Sequence, residues 1–136
     1  MSDVYAVDLA LDIRASVPGS VLADLRWHLG IEGGEAAPTG MYPLLAERGP
    51  AARIGGIQVG ELARTDDGWS LTVRQEMHAE VIPELDSLAE RLVGNSGTEG
   101  VVGQIRFYEE DVPELLVNRA GELVKMSLVP SEGGSG

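Results

Sequence analysis

Hydrophobic and polar residues alternate from near the start of the chain. Over 7–14, Val7, Leu9, Leu11 and Ile13 share one side, and Asp8, Asp12 and Arg14 the other. That spacing predicts a strand with one wet face. Pro18 then stands where a first helical turn tolerates proline, and Gly30 where a helix ends. Between them Val21, Leu22, Leu25 and Leu29 form one apolar stripe, with Trp27 nearly opposite it. Residues 31–50 read as a loop of about 20 residues, long enough to be functional or folded over something. Its apolar patch, Met41-Tyr42-Pro43-Leu44-Leu45, suggests a short helical turn over 43–47.

A second strand is expected over 53–64, with Gly55-Gly56 marking a bulge. Thr65-Asp66-Asp67-Gly68 supplies a tight turn. The strand over 69–78 has the clearest alternation. Trp69, Leu71, Val73 and Met77 are its inward positions, and Ser70, Thr72, Arg74, Glu76 and His78 its outward ones. Pro83 and Gly94 bracket a second helix, with Leu85, Leu88, Ala89 and Leu92 as its buried stripe. A glycine-rich flexible connector, 94–103, leads to a strand over 101–109. Leu115-Leu116-Val117 and 123–126 then flank a turn at 118–121, predicting a C-terminal β-hairpin. Residues 130–136 read as a flexible tail, so 1–129 is taken as a single domain.

Strand, Val17-Pro18, helix and Gly30 are echoed by strand, Ile82-Pro83, helix and Gly94. The order predicts an α+β fold of split βαβ (ferredoxin-like) type, with two helices on one face of an antiparallel sheet and the C-terminal hairpin added. Its first and third strands are expected to be neighbours, with the other sheet face open.

Composition narrows the function more by exclusion than by assignment. A hydrophobic content of 43% is that of a folded domain. There is no cysteine, which removes disulfides, thiolate metal sites and a cysteine nucleophile. The net charge is −12 and no run of lysine or arginine offsets it, so nucleic acid and anionic lipid are disfavoured. A basic protein partner or a small polar or cationic ligand suits that charge. No segment has the length of a membrane helix, and the N-terminus lacks a signal-peptide pattern. A cytoplasmic protein is the expectation.

The open face holds the first candidate chemistry. Arg74, Glu76, His78, Arg106 and Tyr108 are expected there, with Asp12 and Arg14 nearby. His78 with Glu76 or Asp12 suggests an acid–base pair, and the arginines an anchor for a polar substrate. The same residues fit better a solvated face with cross-strand ion pairs, and a third reading is a face buried by dimerisation. Trp27 and Tyr42 are the second candidate: a tryptophan off the core stripe needs cover by the 41–45 segment or a partner. His78 and Glu76 alone do not make a metal motif, and His28 belongs to the first helix. The glycines of 94–103 run from helix to strand, the reverse of a phosphate loop. Glu109-Glu110-Asp111 could grip a cation or form a solvated turn. No nucleophile–base constellation and no cofactor motif can be assembled. The reading that remains is a non-enzymatic binding or interaction module that self-associates, with a small-molecule enzyme on the open face as the alternative.

Overall fold

A computed structural model describes residues 3–31 and 43–127. Tyr42, Met41 and the 130–136 tail lie outside the described residues. The fold is mixed α+β: one seven-stranded sheet, antiparallel throughout, with two helices. The strands are β1 (Val4–Arg14), β2 (Gly49–Pro50), β3 (Ile57–Thr65), β4 (Gly68–His78), β5 (Gly100–Phe107), β6 (Glu114–Arg119) and β7 (Glu122–Ser127); the helices are α1 (Gly19–His28) and α2 (Ile82–Val93). The order across the sheet is β2-β3-β4-β1-β5-β6-β7.

This corrects the predicted architecture. A ferredoxin-like split βαβ sheet is not matched, because the sheet is larger. β2 is added beyond β3, and β6 and β7 continue the same sheet beyond β5 rather than standing apart from it.

Alternation sets the two faces. Val7, Leu9, Leu11 and Ile13 of β1 pack with Leu71, Val73 and Met77 of β4, Leu25 and Leu29 of α1, and Leu85, Leu88 and Leu92 of α2 in one core. Both helices therefore cover the same sheet face. Pro83 sits in the first turn of α2, where its missing N–H costs nothing. An ion pair of 2.8 Å, Arg91 to Asp24, ties α2 to α1.

Three local expectations change. Residues 53–56 are not strand: Gly55 and Gly56 both have φ above 70°, and two left-handed residues in succession turn the chain instead of bulging it. The chain folds back, with the Ala51 N–H donating to the Gly56 carbonyl at 3.0 Å. Residues 43–47 are not a helical turn. The Leu44, Leu45 and Glu47 amides donate to the His28 ring, the His28 carbonyl and the Gln75 side chain, so none is left to close a helix. The 94–103 connector is pinned rather than loose: Arg14 N–H donates to the Asn95 carbonyl, Asp12 N–H to the Thr98 hydroxyl, and Asn118 Nδ2 to the Thr98 carbonyl.

Candidate functional site

Register decides which candidates meet on the open face. β1 and β4 run antiparallel with Asp8 opposite Arg74, Ala6 opposite Glu76 and Val4 opposite His78. Asp12 and Arg14 lie opposite Ser70 and Gly68, at the far end, so the expected neighbourhood of Asp12 and Arg14 with His78 does not form. Arg106 stands opposite Ala6.

At this end of the open face the chain covers itself. Val4, Ala6 and Ile54 form a small second core, with Ala51 and Tyr108 packed on it. Arg74 holds the cover from below: its Nη2 donates to the Ile54 and Gly55 carbonyls at 3.3 and 2.8 Å, while Nη1 lies 3.5 Å from Asp8. Glu76 accepts the Ala52 and Arg53 amides at 3.1 and 2.6 Å. Arg53 lies over the Tyr108 ring, 5.7 Å from its centroid, a cation–π contact. Arg106 donates to the Glu110 carbonyl at 2.7 Å. Thus Arg74, Glu76 and Tyr108 hold the 51–56 segment, Arg106 braces the chain after β5, and His78 stays exposed at the strand end.

Trp27 is half-buried, and its ring meets the His28 ring edge-on at 4.9 Å. Tyr42, its expected companion, is not among the described residues. The more informative neighbour is His28, only 1% exposed. Its Nδ1 accepts the Leu44 amide at 3.1 Å, and its Nε2 lies 3.8 Å from Asp24. The ring is therefore neutral with the proton on Nε2. Burial, against the opposing pull of Asp24, holds its pKa below the ordinary value; Arg91 lowers it further, and Glu84 raises it.

A pH dependence follows. The unfolded chain binds this proton more tightly than the native one, so the contribution of His28 is complete above the unfolded pKa of about 6.5 and is lost as pH falls below it. Urea unfolding between about pH 6.5 and 5 should show stability falling in the wild type. In His28→Gln, whose amide oxygen can still accept from Leu44, that slope should flatten. Equal slopes would show that the ring carries none of it.

Two further side chains escaped sequence reasoning. Gln75 is fully buried on the helix-bearing face. Its Nε2 donates to the Glu47 and Val59 carbonyls and its Oε1 accepts the Glu47 amide. A glutamine at an inward position of β4 was the signal. Arg48 donates to four carbonyls, those of Leu29, Leu45, Glu47 and Gly60, and so joins the end of α1 to β3; nothing in the local sequence announces it.

The rest of the open face mixes apolar and polar positions. One row runs Val59, Arg74, Asp8, Gln104, Leu115, Met126 across six strands. Beside it Thr72 pairs with Ala10, and Val101 with Val117 and then Val124. Val101 is 56% and Met126 41% exposed. A shallow groove of about 480 Å³ runs between Val59, Thr72, Ala10 and Val101, with the Asp8–Arg74 pair and Gln104 at its side.

A second cavity, about 570 Å³, lies on the helix-bearing face at the end where β1 begins and β5 ends. Tyr5 and Phe107, directly paired across β1 and β5, form one wall with ring centroids 5.5 Å apart. Ile105, Val112 and Pro113 add apolar surface, and Asp3, Glu110, Asp111 and Glu114 the charge.

Among the described residues no group of three or more His, Cys, Asp or Glu is placed to hold a metal ion. No helix there is long and apolar enough to cross a membrane. Comparison of the chain with protein-family models, with curated proteins and with solved structures returns no match.

Proposed function

We propose that this protein is a non-enzymatic interaction module that self-associates through the apolar band of its open sheet face. The exposed Val101–Met126 band carries the reading. Val101 and Met126 are exposed, and half-buried Leu115 and Val124 join them across β5, β6 and β7, an apolar patch of the kind that a partner covers. The occupant is a second copy for reasons of charge. At −12 the molecule repels its own kind over most of its surface, and a basic partner would be drawn to that acidic surface. On the band, Asp8 and Arg74 neutralise one another, so two copies meet there with little repulsion. The band lies on β5, β6 and β7, and with the groove over Val59, Thr72 and Ala10 beside it the face spans six strands, about 25 Å at about 4.8 Å spacing, wide enough for the roughly 800 Å² per partner that a stable dimer buries.

The edge strand favours face-to-face over edge-to-edge pairing. β7 carries Lys125, whose ammonium reaches Asp86 of α2 at 2.7 Å, and an edge lysine discourages strand addition.

The alternative, a small-molecule enzyme with His78 and Glu76 as acid–base pair, has less support. Both Glu76 oxygens already accept backbone amides, so that carboxylate is engaged in holding the 51–56 segment.

Light scattering over a range of concentrations should give the mass of two chains, and Val101→Asp should give one. Because Val101 is largely exposed, the variant should unfold at nearly the wild-type denaturant concentration, within about 0.5 kcal/mol. A wild type that stays monomeric at several hundred micromolar overturns the reading.

A further inference from the structure

The cavity walled by Tyr5 and Phe107 stands apart from the apolar band, on the opposite face of the sheet, and is independent of self-association. The geometry points to a binding site there for an organic cation, an alkylammonium or guanidinium group.

Four features select that ligand. First, there is room for one: the space, open to solvent, holds about 570 Å³, within the usual few hundred to a thousand. Second, its charged lining is all of one sign. Asp3, Glu110, Asp111 and Glu114 line it and no lysine, arginine or histidine does. None of the four forms a salt bridge among the described residues. Third, those carboxylates are not gathered tightly enough to hold a metal ion; they are spread around a space, which suits a large, diffuse cation. Fourth, a pair of tilted aromatic rings 5.5 Å apart lines the space, with Ile105, Val112 and Pro113 as apolar cover. A strongly hydrated inorganic ion gains little from such a wall, whereas ammonium and guanidinium groups are attracted to ring faces. The carboxylates alone would be a solvated surface. The ring-walled space makes them a site.

Recognition would place the cationic head against the Tyr5 and Phe107 rings, with the carboxylates supplying long-range attraction and the alkyl stem lying along Val112 and Pro113. The head belongs either to a free amine or to a lysine or arginine of a basic partner chain.

The full chain, labelled for amide NMR, would be titrated with choline and, separately, with its neutral isostere 3,3-dimethylbutanol. Saturable shifts at the Tyr5, Phe107 and Val112 amides are expected with choline, at least about tenfold weaker with the alcohol, since charge supplies both attractions. Asp111→Asn with Glu114→Gln should weaken choline binding several-fold while the circular dichroism spectrum stays unchanged. Phe107→Leu should weaken it about threefold or more without changing the alcohol's affinity. A ten-residue peptide with one central arginine, neutral elsewhere, identifies the source: tighter binding than choline assigns a partner chain, and weaker binding a free amine. Equal affinity for choline and the alcohol, or non-saturating shifts scattered over the acidic surface, overturns the site. Light scattering of the same samples reports self-association separately, so failure of one reading is distinguishable from failure of the other.

Discussion

Replacing Gln75 by alanine should lower the unfolding free energy by about 3 kcal/mol. The side chain is fully buried and makes three hydrogen bonds, to both backbone groups of Glu47 and to the Val59 carbonyl. Truncation takes a partner from the Glu47 amide and the Val59 carbonyl, while the Glu47 carbonyl keeps Arg48, and it opens a cavity beside Val7, which is opposite it on β1. Gln75→Glu separates the two effects. The network fixes the amide orientation, with nitrogen toward two carbonyl oxygens. A carboxylate of nearly the same shape would meet both acceptors with negative charge. At neutral pH this variant should be at least as unstable as the alanine one. Because its carboxyl would be protonated more readily folded than unfolded, it should recover relative to wild type as pH falls toward about 5. Urea unfolding of all three proteins across that range is the measurement. A Gln75→Glu protein of wild-type stability at neutral pH would show that the carbonyls are solvated.

Gly103→Ala should be destabilising by about 3 kcal/mol for a different reason. A Cβ at this position would lie 2.2 Å from the Asp8 carbonyl oxygen and 2.9 Å from Leu9 Cδ2. Backbone oxygen cannot swing away as a side chain can, so β1 and β5 must part where Leu9 and Gly103 are paired. Gly97 is the control, since a Cβ there meets nothing within 4 Å. Gly97→Ala should be neutral or slightly stabilising through the unfolded chain. Thermal unfolding of the two variants compares them directly, and similar melting temperatures would show that β5 adapts.

The strands were legible because one face of each is buried, which writes a period of two into the sequence. β4 shows this best, and its odd positions turned inward as the alternation required. β2 was not legible: Gly49-Pro50 is too short to alternate, and it pairs only because Gly55 and Gly56 reverse the chain. Those same glycines were misread as a bulge, since glycine in a strand and glycine in a turn look alike until φ is known. Register was the deeper loss. Alternation says which face Asp12 shares with His78 but not that antiparallel pairing carries them to opposite ends. The cavity was less legible still. Tyr5 is far in sequence from Phe107 and Val112, and only the pairing of β1 with β5 brings them together.

The place of β1 has a consequence for how the fold is reached. β2, β3 and β4 follow one another between residues 49 and 78, and β5, β6 and β7 between 100 and 127. Each set can zip up as a local meander. Within the sheet only β1, the earliest strand, touches both sets. Synthesis from the ribosome thus delivers first the strand whose two partners, β4 and β5, both come later. Until β5 emerges, β1 has at most one partner and exposes its other edge, a state in which long-range pairing slows folding and invites association.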